Sequence, residues 1–480
     1  MFLGIDLGTG SVKALLLGAD GSIFRIASEE YAVRSPRPGR AESNPEDWWN
    51  ATAKVVREVV EGKPGEVGAI GLSGQMHGVV SCDANGRSLR PAILWADTRA
   101  ARKLEAYRRL DAETLRRLAN PPAVGMAGPT LLWLRDEEPE TYAAARWALQ
   151  PKDWLRLKLT GEVATEPSDA SATLLYDLEG DVWDRETISD LGLDGSLLAP
   201  IRRPADIAGT LKREAAEAFG IEAGTPVAVG AADTAAAIIG TGLGAPGAFQ
   251  LTVGTGAQIV TLRNSFYPDR TGRTHLFRTA AFSGSGPPYY AMAAMQNAGL
   301  ALEWVRRLFG VTWEEFYEEA FGVGVAPGSG GIAFVPHLGG ERTPGFAPEA
   351  RGAWSGLGLE HERGHLLQAA LEGVAFSVRE GLEALEDTTR CAPDALRLAG
   401  GGVSDERWRR MLASVLGKQL VLLPGDVSRN ASALGAAISA SLALGDPPTP
   451  IASDPDVTFE PESEASYEEA YARYLAAKRG

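Results

Sequence analysis

The stretch that decides the fold is MFLGIDLGTGSVKALLL, residues 1–17, in which two apolar runs are joined by Gly8-Thr9-Gly10-Ser11. Runs at this spacing around a glycine turn predict a β-hairpin. Asp6 interrupts the first run, and a carboxylate in a strand otherwise built for burial is costly unless something compensates it. Glycines let backbone N–H groups approach a ligand and hydroxyl neighbours add donors, so the turn suits a phosphate; an ordinary hairpin is the competing reading. No GxxxxGK[ST] follows, so this is not a Walker loop. An acid aimed at a phosphate turn points to a metal between them.

The same device recurs mid-chain, where Ala248 to Leu262 again sets Gly254-Thr255-Gly256 between apolar strands. Repetition of this kind predicts two similar domains, with a boundary in the glycine-rich Gly240 to Gly247 and domains at 1–241 and 242–480. A chain of 480 residues is long enough for two cores. Strand-like runs (67–72, 227–230, 333–336, 396–399) alternate with helical ones, an α/β pattern. The clearest helix spans about 362–388, with Leu366, Ala369, Ala370, Gly373, Val374 and Ser377 on one face.

Composition narrows the function. The net charge of −15 disfavours nucleic acid as a partner and leaves small ligands. No segment approaches the roughly 20 apolar residues of a membrane span, and no secretion signal opens the chain, so a cytoplasmic location is expected. Cys82 and Cys391 read as free structural thiols. The charge-rich stretches 99–117 and 462–479 read as solvated helix faces.

Four further clusters carry chemistry. Asp233 lies where an apolar strand passes into a small-residue helix; it is either a helix cap or a base left open to a substrate hydroxyl. Gly74-Gln75-Met76-His77-Gly78 ends another strand and offers hydrogen-bonding tips beside an apolar wall, as a polyol pocket needs; a capped turn is the alternative. Leu94-Trp95-Ala96-Asp97-Thr98-Arg99 adds an aromatic residue, as site or core, and an Asp97–Arg99 pair. Gly400-Gly401-Gly402 precedes a helix near 404–405 and suits a nucleotide or a tight turn. The loop 335–344 reads either as a rigid surface segment with Glu341 and Arg342 solvated, or as a part that closes the domains or supports the nucleotide.

Taken together, Gly4 to Thr9, Gly74 to Gly78, Pro91 to Trp95, Pro151-Lys152-Asp153-Trp154-Leu155, Gly230 to Asp233, Gly339 to Pro344 and Gly400 to Gly402 resemble the FGGY carbohydrate kinases over the whole chain, the xylulokinase branch most. The family's C-terminal signature is met from Gly352 through His365 and Ala369 to Glu372. The resemblance implies two actin-like, ribonuclease-H-like ATPase domains around a deep cleft, with sugar held mainly by the first and ATP and Mg²⁺ mainly by the second. It implies phosphorylation of a ketopentose, D-xylulose to D-xylulose 5-phosphate, with Asp233 as general base and Asp6 on the metal. Gln75, Met76, His77, Trp95, Asp233 and Thr234 would face the sugar. Gly8, Thr9, Gly10, Ser11 and Lys13 with Gly254, Thr255 and Gly256 would cradle phosphates, and Gly299, Glu303, Gly400, Gly401 and Gly402 would border the adenosine. A homodimer is compatible with this reading.

Thr234 stands where xylulokinases usually carry Asn, which leaves ribulose, xylitol or a deoxysugar open as substrates. Thr130 replaces a lysine of the N-terminal signature, Ala127 departs from its expected small polar residue or proline, and 403–405 departs from the usual residues after the glycines. The competing class is a nucleotide-driven machine of the actin or Hsp70 kind, which needs no hydroxyl base at Asp233.

Overall fold

A computed structural model describes residues 1–280, 286–345, 347, 349–446, 457–462 and 465–479. In the first half, strands β1 (Phe2–Leu7), β2 (Ser11–Leu17), β3 (Ile23–Glu30), β4 (Ala69–Gly74), β5 (Ile207–Thr210) and β6 (Pro226–Ala228) form one sheet, with the short β7 (Ala231–Ala232) also on β4. Its order is β5-β6-β4-β1-β2-β3; β1 is antiparallel to β2 and parallel to β4. In the second half, β8 (Phe249–Val253), β9 (Ala257–Arg263), β10 (His275–Arg278), β11 (Tyr289–Met295), β12 (Ala395–Ala399), β13 (Gln419–Leu422) and β14 (Val457–Phe459) form the second, in the order β10-β11-β9-β8-β12-β13-β14. Each sheet therefore starts from an antiparallel hairpin whose first strand gains a parallel neighbour, β4 in one and β12 in the other. The repeated Gly-Thr-Gly device is a repeat of topology.

The helices that position the site are α1 (Pro45–Val59), α2 (Pro151–Thr160), α3 (Asp233–Gly240), α4 (Gly299–Phe309), α5 (Arg363–Thr389), α6 (Glu406–Leu416) and α7 (Gly425–Ala443). Helix α5 lies within one residue of the span expected from its apolar stripe, and buries Ala369, Ala370, Gly373, Val374 and Ser377. Period-2 alternation sends Leu3, Ile5 and Leu7 of β1 into a core with Trp48, Val55 and Trp154. The other face, with Phe2, Leu15, Leu17 and Ala69, is covered by Val427, Ala433, Leu434 and Ala437 of α7.

That last contact crosses the expected boundary. Helix α7 comes late in the chain but packs on the sheet of the first half, so the glycine-rich segment near 240–247 separates the two sheets and not their helical layers. The approach is close because glycines and alanines line it. A Cβ on Gly4 would lie 2.0 Å from the Ala433 carbonyl oxygen, and one on Gly71 1.8 Å from that of Ala436. Helix α3 meets α7 the same way: a Cβ on Gly435 would lie 1.8 Å from the Ala236 carbonyl oxygen. Backbones in such contact tolerate no methyl without displacement.

Gly435→Ala should therefore cost at least about 1–3 kcal/mol in chemical denaturation, the range for forced overpacking. Gly401→Ala, whose Cβ would meet nothing within 4 Å, serves as the control. Equal stabilities of the two variants would show that the helices do not need this contact.

Candidate active site

Asp6, next to the last residue of β1, lies on the face covered by α7, with Lys13 across the hairpin and Ser73 on β4 as its register partners. The Ser73 hydroxyl donates to its carboxylate at 3.0 Å. Burial pushes the Asp6 carboxyl up, against the Ser73 hydrogen bond and the Lys13 charge. Asp233, in the first turn of α3, accepts from the Thr234 N–H at 2.6 Å and the Thr234 hydroxyl at 3.2 Å. It is not the residue that caps α3, because Ala232 holds that place. Burial, with the negative charge of Asp6 adding to it, pushes Asp233 up to about 7. Both carboxyls open on one cavity of about 240 Å³, lined also by Lys13, Thr252, Gln258, Ser428 and Asn430. The first half thus contributes two acids and a cation to this cavity.

The second half supplies an uncharged counterpart. Thr252 sits in β8 where Asp6 sits in β1, two residues before the Gly-Thr-Gly turn, and pairs with Gln258 as Asp6 pairs with Lys13. Sequence reasoning missed Thr252 and Gln258, although aligning the two turns would have found them. It also missed Ser428 to Ser432 of α7, which enter the cavity only because that helix crosses over. The Ser428 hydroxyl accepts from the Gly400 N–H at 2.8 Å, Lys13 Nζ donates to the Arg429 carbonyl at 2.5 Å, and the Ser432 hydroxyl donates to the Asp233 carbonyl at 3.1 Å.

The glycine turns divide into open and packed positions. The Gly8 carbonyl accepts from the Tyr31 hydroxyl at 2.5 Å and from Gln75 Nε2 at 3.1 Å, and the Thr9 hydroxyl accepts from Trp95 Nε1 at 2.9 Å. Gln75 is 1% exposed, and its amide N–H braces the turn. Gly10, Gly254 and Gly401 would meet nothing closer than 3.9 Å at a Cβ, whereas a Cβ on Gly256, Gly299, Gly400 or Gly402 would lie 2.1 to 3.0 Å from backbone. Packing against Val253 thus explains Gly400, which also has φ +98°, and Gly402, and leaves Gly401 as the bare one. The Gly299 N–H donates to the Gly254 carbonyl at 3.0 Å, tying α4 to the second turn. Glu303 is paired with Arg306 through two hydrogen bonds of 2.7 and 2.8 Å.

Met76 and His77 are brought to the interface of the halves. Met76 accepts from the Tyr290 hydroxyl at 3.9 Å, and His77, at φ +70°, donates from Nδ1 to the Ala172 carbonyl at 2.8 Å. Burial, helped by the positive charge of Arg342, pushes His77 down to about 4. It is neutral near pH 7 and keeps Nε2 as an acceptor. Trp95 is half-buried. Asp97 does pair with Arg99, at 2.6 Å, but with Glu42 in a buried group, so this end of the charge-rich stretch is not a solvated face. Glu341 and Arg342 are not freely solvated either: Glu341 is 4% exposed and Arg342 half-buried, and burial pushes the Glu341 carboxyl up and the Arg342 guanidinium down.

Below the His77 turn lies a fully buried ionic cluster. Lys152 Nζ lies 2.8, 3.2 and 2.7 Å from Asp153, Glu166 and Asp169, and Arg156 lies 2.9 Å from Asp153. Burial alone would push Lys152 down, but the three carboxyls hold it above the ordinary lysine range. Burial pushes Asp169 well up. Glu166 also accepts from the Ser168 hydroxyl at 2.7 Å, and that hydroxyl accepts from the Ala232 N–H at 3.0 Å. The cluster thereby holds the backbone one residue before Asp233.

Comparison with known proteins settles the family. The chain matches the FGGY family of carbohydrate kinases, N-terminal domain, over residues 1–240 and the C-terminal domain of the same family over residues 250–444. The chain is an FGGY carbohydrate kinase. This kinase is 33% identical to the xylulose kinase of Escherichia coli over 445 residues, covering 92% of this chain and 90% of the other. It is 31% identical to that of Bacillus subtilis over 448 residues, covering 92% and 88%. A crystal structure described as a xyloylose kinase from Brucella ovis superposes with a TM-score of 0.89 at 34% identity, covering 100% of this chain and 98% of that one. The xylulose kinase of Rhodospirillum rubrum gives 0.86 at 27%, covering 99% and 98%. The kinase is accordingly an ATP-dependent sugar kinase of the two-domain actin-like fold, and the actin or Hsp70 type of machine is set aside.

Two outcomes follow from these electrostatics. Lys152→Met should destabilise the kinase by about 3–5 kcal/mol in urea, the cost of leaving buried carboxylates without their cation; a loss below 1 kcal/mol would mean that the cluster is not held as ions. For Asp233, the folded protein keeps a proton up to about pH 7 where the unfolded chain releases it near 3.8. The folded state therefore binds more protons in that window, and stability from this group falls as pH rises through it. Metal-free Asp233→Asn should melt above wild type at pH 8, with the gap closing by pH 4; a wild type that melts higher at pH 8 would contradict the desolvation.

Proposed function

We propose that this kinase transfers the γ-phosphoryl group of ATP to a hydroxyl of a ketopentose, D-xylulose being the first candidate, with Asp233 as general base. One observation supports this most: Asp6 and Asp233 open on a single cavity between the Gly-Thr-Gly turns, and Asp233 alone has a carboxyl raised to about 7 there. A base of that strength is matched to taking a proton from a hydroxyl as its oxygen attacks phosphorus near neutral pH. The names of the relatives at 31–34% identity support xylulose.

The first half would hold the sugar, with Met76, His77 and Trp95 as its wall, and the second half the nucleotide, along Gly401 and the turn at Gly254 to Gly256. Thr9, Gly10 and Ser11 from one side and Thr255 from the other would orient the phosphates, with Lys13 drawing negative charge toward Asp6. Phosphoryl transfer demands alignment and charge neutralisation more than covalent help from the protein.

The residues present fit Mg²⁺. No cluster of three acidic, histidine or cysteine side chains that could hold a metal occurs among the described residues, and Mg²⁺ in kinases typically keeps several waters and takes one or two carboxylates plus substrate phosphates. Asp6, hydrogen-bonded to one hydroxyl and open to the cavity, would hold it through water. When bound it would supply positive charge to the β- and γ-phosphates.

Thr234 supports a second set of substrates. Its hydroxyl is used on Asp233 and offers the sugar less than an asparagine amide would, which admits ribulose, xylitol or a deoxysugar. A coupled ADP-release assay over ketoses, alditols and deoxysugars tests the substrate. In the same assay Asp233→Asn should lower kcat by about 10²-fold or more with sugar affinity little changed, since a positioned base typically contributes that much. Turnover close to wild type would remove Asp233 from the role.

A further inference from the structure

Among the described residues the Arg342 side chain forms no ion pair and no hydrogen bond, although the charge of neighbouring Glu341 acts on it, and it lies at the meeting of the two halves. The residues around it are firmly pinned. Glu341 accepts from the Gln296 N–H at 2.7 Å and the Arg342 N–H at 2.8 Å, and Asn297 Nδ2 donates to the Gly340 carbonyl at 2.6 Å. The Thr343 hydroxyl accepts from the Ala294 N–H at 3.1 Å. This fastens residues 340–343 to the end of β11 in the second sheet. From there the Arg342 side chain reaches the first half, with its guanidinium carbon 5.6 Å from the centre of the Trp95 ring. Among the described residues no carboxylate lies within 4.0 Å of the guanidinium, and no hydrogen bond satisfies it. The side chain is half-buried, so a ligand that displaces the water around it must supply acceptors in that water's place.

The surroundings show which part of the ligand. Arg342 acts on His77 and His275, and helps push both rings below the usual histidine range after burial has done most of it. The groups that shift Asp233 are Asp6 and Thr234, and Arg342 is not among them. Arg342 therefore stands beside Trp95 and the His77 ring, and does not line the cavity that Asp6 and Asp233 share. A guanidinium only donates hydrogen bonds, and a ketone oxygen only accepts them. An alditol hydroxyl in the same place accepts too, but must direct its own proton elsewhere in a closed pocket.

We infer that Arg342 binds the carbonyl end of the sugar, donating to the ketone oxygen and a neighbouring hydroxyl, and so selects ketoses over alditols from the domain opposite the rest of the sugar wall. The inference rests on the reading of Met76, His77 and Trp95 as that wall. Because the donor comes from the second half and the wall from the first, sugar bound in this way draws the halves together.

The test uses Arg342→Met and Arg342→Lys in the full chain. D-xylulose binding is measured calorimetrically without nucleotide, and kcat and KM are measured for D-xylulose, xylitol and ATP. Loss of a charged hydrogen-bond donor should weaken xylulose binding and raise its KM by about 10- to 100-fold. The KM for ATP should stay within about twofold, and the xylulose-to-xylitol ratio of kcat/KM should fall about tenfold. Lysine, which keeps the charge without the planar fork, should recover part of the loss. An unchanged melting temperature in Arg342→Met shows that the fold is intact. Unchanged xylulose affinity, or ATP and xylulose KM rising together, overturns the inference while wild-type turnover leaves the kinase reading standing. A wild type that phosphorylates no ketose overturns the sugar reading itself, before any variant is compared.

Discussion

The crossing of α3 and α7 at backbone contact is the constraint on which the site depends. It brings the first turn of α3, with Asp233, and the serines and Asn430 of α7 to the end of β1, where Asp6 sits. Gly4 and Gly71 beneath, and Gly435 at the crossing, let the helix lie almost on the strands. A single methyl at any of them would lift it. The acids meet because these glycines allow the elements behind them to touch.

Two electrostatic regimes lie side by side in this framework. In the cavity, Asp6 and Asp233 face an opening and the protein compensates their charge only in part, through Ser73 and Lys13 at one and Thr234 at the other. Behind it, Lys152, Arg156, Asp153, Glu166 and Asp169 are fully enclosed and paired with one another. Enclosed charge survives only when paired, whereas charge facing an opening can wait for a ligand. The Ser168 link from the second regime to Ala232 lets the enclosed cluster position the open pair.

Local pattern revealed what local physics controls. Both hairpins, the long amphipathic helix α5 and the strand before the triple glycine were legible, since each is specified by spacing within some 15–30 residues. The Asp6 and Asp233 readings also came from local incongruity, a charge where the pattern asks for none. Long-range pairings were not legible. Nothing near Gln75 indicates that its amide turns back on Gly8, and nothing near Glu341 and Arg342 indicates burial, because the partners of these residues lie far off in sequence. The placement of α7 on the first sheet escaped for the same reason: its small residues describe a tightly packed helix without naming the surface it packs on.

That placement has a consequence for biosynthesis. The apolar patch made by Phe2, Leu15, Leu17 and Ala69 leaves the ribosome long before its cover, Val427 to Ala440, has been translated. Throughout elongation the nascent amino-terminal sheet has one greasy side without its lid, an invitation to chaperones or to self-association. Maturation of these strands thus waits on a helix made long after them.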